Sequence, residues 1–477
     1  MDEALMIKKL FEFWNENDVK YAIWKGISKL NAVETGEEDL DVLLDIKSSL
    51  KAEMILSSIG FVKVENSWLK SDYGTSDYLY FTESGIWIHI HLHYNVIFGN
   101  SVTRNYRMPI TKYLINNAVK NSAYGCKIIS PFDDVALSIL RYSSRKKSFF
   151  GYASLDKDLQ NLQNHYIKTN ELKLQLDNPY PNVLNDLIKK NNYKSSDIVN
   201  RNRKKITNSI NVFKDNSNFQ NLVYVYRLFS LIKEKIIMRA SNQRGNKKLM
   251  NKGLKIAFVG IDGSGKSSAI ERLSRKLKKQ LSTTTISVGS GVSGASWYRR
   301  LIFNVYGNKA KSPSHIKNRK EKSKDKKYPL LYSLWLLLCL FDKKNQLQRG
   351  ISKANQGEIV IIDRWLQEEV DDFIDSPRVP KESAKTLITR FLYRKEREVY
   401  KLAKANPPEI IIIMEVNAEN STKRKPNDLT YDQAFYLGEK IKDLKWNGST
   451  VFTINANNSI EEVDLEINKI LSKEMSH

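Results

Sequence analysis

Residues 260–267 read G-I-D-G-S-G-K-S and follow directly on the apolar run Ile256-Ala257-Phe258-Val259. An apolar strand that ends in a glycine-rich turn and continues into an amphipathic segment, here residues 269–277, is the P-loop setting. The glycines let the backbone curl so that successive N–H groups face phosphate oxygens, and the following helix adds its positive N-terminal end. The pattern therefore predicts a strand–loop–helix unit that holds a nucleoside triphosphate. Its predicted binding residues are Gly260, Asp262, Gly263, Ser264, Gly265, Lys266, Ser267 and Ser268. Lys266 would meet the β- and γ-phosphates, and the Ser267 hydroxyl would ligate Mg²⁺.

Around this unit the chain alternates apolar strands with helical segments. The predicted strands are residues 255–259, 284–288, 359–362, 410–414 and 451–454. Such alternation implies an α/β fold with a parallel sheet, with ligands beyond the strands' carboxyl ends. At 477 residues the chain exceeds what one core usually spans, so more than one domain is expected. Residues 1–125 read as an α+β domain, with an amphipathic helix over residues 4–14 and strands at 21–24, 40–44, 78–81 and 86–93. Residues 126–241 show helical spacing, as in Val135, Leu137, Ile139 and Leu140, and later Leu222, Val225, Leu228 and Leu231. Residues 242–253, rich in Lys, Asn and Gly, read as a linker before a P-loop domain over 254–477. Residues 309–327 form a charge-dense insertion.

The formal charge of +24 is unevenly spread. Residues 1–100 carry 9 Lys/Arg against 16 Asp/Glu, whereas residues 201–250 carry 12 against 2. A basic stretch can hold nucleic acid, anionic lipid or phosphorylated substrates, and charge alone does not choose. Cys126 and Cys339 are too far apart in sequence for metal-ligand spacing, which argues against a disulfide framework and a zinc–cysteine site and fits a reducing cytoplasm. The N-terminus lacks a secretory pattern. The longest apolar run, residues 330–341, is too short for a membrane span and reads as a buried helix.

Four features of the C-terminal half, in order, resemble the thymidylate kinase family of P-loop nucleoside monophosphate kinases. They are the loop with Asp262 at its third position, Gly357-Glu358-Ile359-Val360-Ile361-Ile362-Asp363-Arg364-Trp365, Pro408-Glu409-Ile410-Ile411-Ile412-Ile413-Met414-Glu415-Val416, and Ile454-Asn455-Ala456-Asn457 followed by Ile460-Glu461-Glu462-Val463. The resemblance implies ATP as phosphoryl donor, Mg²⁺ held with help from Asp363, and an acceptor phosphate clamped by Arg364. It also implies that Asp262 meets the acceptor sugar and that Lys423, Arg424 and Lys425 form a basic lid, with Lys266, Asp363, Arg364 and Arg424 as catalytic candidates. The chain departs from the family after its second strand, where an R-E-P-G stretch is replaced by Val288-Gly289-Ser290-Gly291-Val292-Ser293-Gly294. Asp342-Lys343 stands where the family has Asp-Arg, and Glu415 where it has Asp. The expected acceptor is accordingly a nucleoside monophosphate or another phosphorylated small molecule, with thymidine monophosphate a poor substrate.

In the N-terminal half, Trp24-Lys25-Gly26-Ile27-Ser28 followed by Asp39-Leu40-Asp41-Val42-Leu43-Leu44 resembles the β-polymerase-like nucleotidyltransferase pattern of Gly-Ser and D-x-D. Spacing of i, i+2 puts the Asp39 and Asp41 carboxylates on one strand face, as paired metal ions require. The family's third carboxylate falls at His91, which makes Mn²⁺ more acceptable than Mg²⁺ and leaves open a degenerate, purely binding domain. His89, His91 and His93 share one face, which is also compatible with a transition-metal site.

The reading that follows is an ATP-dependent phosphotransferase of thymidylate kinase type fused to a nucleotidyltransferase-like domain with a helical extension. The alternative is a nucleic-acid-associated NTPase or toxin-like nucleotidyltransferase, in which Arg201, Arg203, Lys204 and Lys205 hold RNA or DNA phosphates. Nucleic acid is the less favoured partner, no membrane span is expected, and homodimerisation is left open.

Overall fold

The runs Ile256–Val259, Ile359–Ile362 and Ile410–Ile413 have no polar face, so each is stable only where both faces of a sheet are covered. In the computed structural model that is where they lie. The structure describes residues 3–66, 74–99, 104–144, 178–190, 192, 196–214, 220–240, 247–289, 330–369, 375–426 and 428–476. The chain divides into two units, Met1–Asn242 with Leu471–His477, and Gln243–Ile470.

The second unit is built on a parallel five-stranded sheet. Its strand order is Thr283–Ser287, Ile359–Asp363, Lys255–Val259, Ile410–Glu415, Thr450–Asn455. Register is fixed between neighbours, with Phe258 opposite both Asp363 and Ile412. Every residue of Lys255–Val259 is buried, whereas Thr450–Asn455 lies at an edge and is mostly exposed. All five expected strands form, each within one residue of the ends the sequence implied. The P-loop strand is therefore central, and its loop opens at the carboxyl edge with strands on either side.

Helices Lys266–Leu277, Leu330–Asn355, Leu387–Ala405, Ala418–Arg424 and Tyr431–Lys442 connect these strands. Thr386 caps Leu387–Ala405 through a reciprocal capping box with Thr389, and this helix packs against Leu330–Asn355. The apolar run at 330–341 opens that longer helix but is not wholly buried, since Leu334 and Phe341 are exposed while Leu336, Cys339 and Leu340 are buried. The run spreads its apolar residues around the helix, so one neighbouring layer does not cover all of them. Within the stretch expected to be a linker, Lys247–Leu249 forms a strand. The insertion at 309–327 and residues 290–294 lie outside the described residues.

The first unit carries a mixed sheet whose strands run in the order Val62–Asn66, Thr75–Phe81, Trp87–His93, Leu40–Leu44, Tyr21–Ile23, Lys127–Ile128, Val119–Lys120. Leu40–Leu44 and Trp87–His93 are parallel, with Asp41 opposite His91. The remaining pairs are antiparallel except Tyr21–Ile23 with Lys127–Ile128. Helices Glu3–Glu16 and Ser49–Ser58 belong to this unit, and Trp14, Trp24, Tyr21, Tyr78, Phe11 and Phe132 are its largest fully buried side chains. A single core runs from Met6 to Ile210, so it includes Val135, Leu137, Ile139 and Leu140 of helix Pro131–Ser144 as well as the strands. Further on, helix Gln220–Ala240 leaves Val225 and Leu228 partly exposed, and the side chains of Leu222 and Leu231 lie outside the described residues. Among the described residues no helix is long and apolar enough to cross a membrane.

Candidate functional site

The turn after Lys255–Val259 is set by its glycines. Gly263 has φ +84°, and a Cβ there would stand 2.6 Å from the Ser421 carbonyl oxygen. A side chain would be strained in conformation and would collide with the backbone packed over the loop. Gly265 is the N-cap residue of helix Lys266–Leu277, which starts the helix directly under the loop. At that start the hydroxyls of Ser267 and Ser268 belong to exposed residues, while Ser264 is buried.

Lys266 is the buried charged residue of the loop. Its Nζ donates to the Gly260 carbonyl at 2.8 Å, to the Ile261 carbonyl at 2.7 Å and to Ser264 Oγ at 3.3 Å. The ammonium thus sits inside the loop's own ring of oxygens. Burial, with Arg364 adding repulsion, brings its pKa down to about 8, and Asp262, Asp363 and Asp375 oppose a further fall.

Arg364 follows the neighbouring strand with φ +71°, a conformation that non-glycine residues adopt at a cost. Its backbone N–H still donates to the Phe258 carbonyl, which extends the sheet ladder by one bond. The guanidinium points across the strand ends, with Nη2 2.6 Å from Asp262 Oδ1 and Nη1 3.7 Å from Asp375 Oδ2. Burial acts to raise the Asp262 carboxyl, but Arg364, Lys266 and Lys425 outweigh it and hold the group below its ordinary value. Burial dominates at Asp363, whose carboxyl lies above its ordinary value despite Arg364 and Lys266. Three carboxylates and two cations therefore meet beside the loop.

A second layer fixes Asp375, whose backbone carbonyl accepts from the Tyr400 hydroxyl at 2.7 Å. Lys343, buried in helix Leu330–Asn355, has its pKa lowered by burial, with Asp375 acting in the opposite sense. Asp342 beside it is buried as well. No motif marked Asp375, because its approach to Arg364 is a property of the folded chain.

The basic segment at 423–425 divides by role. Arg424 reaches the loop, with both Nη atoms 3.0 Å from the Ala456 carbonyl and Nη1 3.5 Å from the Gly263 carbonyl. Lys423 pairs with Glu419 and Lys425 with Asp428. Ser421 Oγ donates to the Asp262 carbonyl at 2.7 Å, so helix Ala418–Arg424 is fastened to the P-loop. The motif at 454–457 supplies the opposite wall, where Asn457 Oδ1 accepts from the Asn417 backbone and the Asn420 amide. The sequence pointed to Arg424; Ser421 and Asn457 act through contacts that no spacing rule announces.

In the first unit the D-x-D carboxylates face the histidine row of the parallel neighbour. Asp39 Oδ1 lies 2.7 Å from His89 Nδ1, and the other nitrogen of that ring lies 2.6 Å from Asp77 Oδ1. Asp41 Oδ1 lies 2.6 Å from His93 Nε2 and 3.3 Å from His91 Nδ1. The structure thus groups Asp41 with His91 and His93, and turns Asp39 to His89 and Asp77. Lys25 stands beside them, its Nζ 3.4 Å from Asp41 Oδ1 and 4.1 Å from the centre of the Trp24 ring. His93 lies outside the nucleotidyltransferase ligand set of Asp39, Asp41 and His91, but its i, i+2 relation to His91 on one strand already placed it on the histidine face compatible with a transition metal. Of the basic group at 201–205, Arg203 Nε donates to the Ser143 carbonyl at 2.9 Å and serves the fold, whereas Arg201, Lys204 and Lys205 are exposed.

The absence of a side chain at Gly289 has a direct consequence for Arg364, because a Cβ there would lie 2.7 Å from Arg364 Cδ. Gly289→Ala should therefore displace the arginine and cost about 1–3 kcal/mol of stability. Gly438 lies inside helix Tyr431–Lys442, and a Cβ there meets nothing within 4 Å, so Gly438→Ala should stabilise by about 0.5–1 kcal/mol. Opposite shifts of the urea midpoint in the two variants are the expected outcome; a neutral Gly289→Ala would mean that Arg364 is not confined.

No family model matches the chain. It is similar to the uncharacterized ATP-binding protein YghR of Escherichia coli K12, at 28% identity over 221 residues, covering 46% of this chain and 86% of that protein. It is similar as well to the uncharacterized ATP-binding protein YghS of the same strain, at 27% identity over 216 residues, covering 44% of this chain and 88% of that one. A crystal structure of thymidylate kinase from Ehrlichia chaffeensis aligns with a TM-score of 0.26 and 20% identity, covering 46% of this chain and 98% of that one. These similarities each extend over less than half of the chain.

Proposed function

We propose that the second unit is an ATP-dependent phosphotransferase that moves the γ-phosphoryl group of ATP to an oxygen of a phosphorylated small molecule, leaving ADP. The observation that carries this reading is the Lys266 ammonium held inside the Gly260–Ser267 turn at the carboxyl edge of a parallel sheet, with Arg364 and Asp363 at the adjacent strand end. Similarity to proteins described as ATP-binding supports the donor.

Phosphoryl transfer asks a protein mainly for positioning and for charge neutralisation. Lys266 can exchange the Gly260 and Ile261 carbonyls for phosphate oxygens, which are stronger acceptors for an ammonium. The Ser267 hydroxyl and the Asp363 carboxylate are oxygen donors of the kind Mg²⁺ prefers, and they fit that ion at the start of the helix and the end of the adjacent strand. When bound, Mg²⁺ supplies further neutralisation of the phosphate charge. Arg364 is fork-shaped and always charged, which suits a phosphate of the acceptor, and Asp262 fixes its orientation. The contacts of Arg424 with the Gly263 and Ala456 carbonyls support reading it as part of a basic lid beside the nucleotide.

The replacement of R-E-P-G by Val288-Gly289-Ser290-Gly291 supports an acceptor other than thymidine monophosphate. The D-x-D carboxylates beside a parallel strand support reading the first unit as a nucleotidyltransferase-like module, with residues 126–241 as its helical extension. In such a fusion a kinase would prepare a phosphorylated compound and the partner module would bind or activate it.

Lys266→Ala should lower turnover at least roughly 100-fold, the scale of losing one charge-stabilising donor, while circular dichroism remains that of the wild type. A well-folded Lys266→Ala protein with wild-type ATP turnover would refute the kinase reading. In a screen of phosphate acceptors with ATP, thymidine monophosphate should give a kcat/KM below about 10⁴ M⁻¹s⁻¹. Arg364→Ala should weaken use of the best acceptor and leave the affinity for ATP nearly unchanged, as read from acceptor KM and from direct nucleotide titration.

A further inference from the structure

Three of the chain's six histidines stand at alternate positions of one strand, Trp87–His93, so their rings share a face. We propose that two of them, His91 and His93, together with Asp41 form a binding site for a divalent transition-metal ion of the zinc or cobalt class. Asp41, His91 and His93 each offer one donor atom, the three atoms all within 4.8 Å of one another, and Asp41 Oδ1 lies close to both His91 Nδ1 and His93 Nε2. Three donors bound at ~2.0–2.2 Å to a common tetrahedral ion stand roughly 3.4 Å apart. From Asp41 Oδ1 the His91 nitrogen at 3.3 Å already stands near that spacing, whereas the His93 nitrogen at 2.6 Å is closer, so an entering ion would push Asp41 and His93 apart by side-chain adjustment.

Sheet register makes the arrangement rigid. Asp41 is opposite His91 in a parallel ladder, and His93 is two residues further along the same strand. His93 is buried, and its ring packs edge to face with that of Trp24, the ring centres 5.0 Å apart. Asp41 and His91 are only partly buried, which leaves one side for a water or ligand, as open three-ligand sites require. Two imidazoles and one carboxylate rank zinc-class ions well above Mg²⁺, a small hard cation that prefers oxygen.

The neighbouring residues have separate duties. His89 bridges Asp39 and Asp77 and so keeps Asp39 out of the donor set. Lys25 Nζ lies 3.4 Å from Asp41 Oδ1 and 3.5 Å from His93 Nε2, so its ammonium competes for the same two atoms. Metal entry requires Lys25 to move aside, and its contact with the exchangeable site makes it a built-in competitor that sets the affinity. This differs from a paired-carboxylate Mg²⁺ site built on Asp39 and Asp41 in both the donor set and the ion selected.

The test is a titration of the full-length, chelator-treated protein with Co²⁺, followed by its visible absorption. The expected result is one saturable band at one ion per chain, chased by Zn²⁺ and resistant to millimolar Mg²⁺. His93→Ala and His91→Ala should each weaken binding by more than the roughly 10–100-fold that outer partners cost, whereas Asp39→Ala should stay within that range. Lys25→Met should tighten binding by roughly tenfold, a gain that misfolding does not produce. Absence of a saturable band in the wild type, displacement by Mg²⁺, or a band unchanged when both histidines are replaced would each overturn the assignment.

Discussion

The ammonium of Lys266, enclosed by carbonyls of its own loop, is the interaction around which the candidate site of the C-terminal unit is arranged. A buried charge is costly unless it is surrounded by oxygens, and here the loop can surround it only if its backbone turns tightly. Glycine at 263 permits that turn and lets the Ser421 backbone close over it. The sheet holds both ends, since the loop leaves the central strand and enters helix Lys266–Leu277 at once. On the proposed function, phosphate oxygens would take over from the loop carbonyls as the acceptors of the ammonium.

The cation is balanced across the strand ends. Arg364, in an unfavourable backbone conformation, is held by Asp262 from the loop and Asp375 from beyond the adjacent strand. Such a conformation persists when its surroundings over-determine it. Gly289 contributes by omission, because any side chain would occupy the space of the Arg364 stem. A residue that breaks the resemblance to thymidylate kinases thus has a definite physical task, which is to make room for the neighbouring arginine.

Much of this was legible because local rules operated. Unbroken apolar runs marked the three inner parallel strands and β-branched segments the two outer ones, all to within a residue, and glycine spacing located the turn and its lysine. Short strands such as Val62–Asn66 and Tyr106–Met108 escaped notice, since partners distant in sequence stabilise them more than their own pattern does. Asp375 and Ser421 carry no sequence signal, and His93 only a partial one, for a related reason: their significance lies in which groups the fold brings opposite them. His93 is the instructive case, because alternation along the strand showed its face while only the pairing with Leu40–Leu44 showed that Asp41 was its neighbour. Likewise, one core joins the N-terminal strands to helix Pro131–Ser144, a continuity that the compositional change near residue 126 concealed.

The most direct measurement is a crystal structure of the full chain with Mg²⁺ and a non-hydrolysable ATP analogue. The account predicts the β- and γ-phosphates inside the 260–267 loop, with Lys266 Nζ moved from the Gly260 and Ile261 carbonyls onto their oxygens. Nucleotide density elsewhere, or phosphates in the loop with Lys266 still bonded only to those carbonyls, would contradict it.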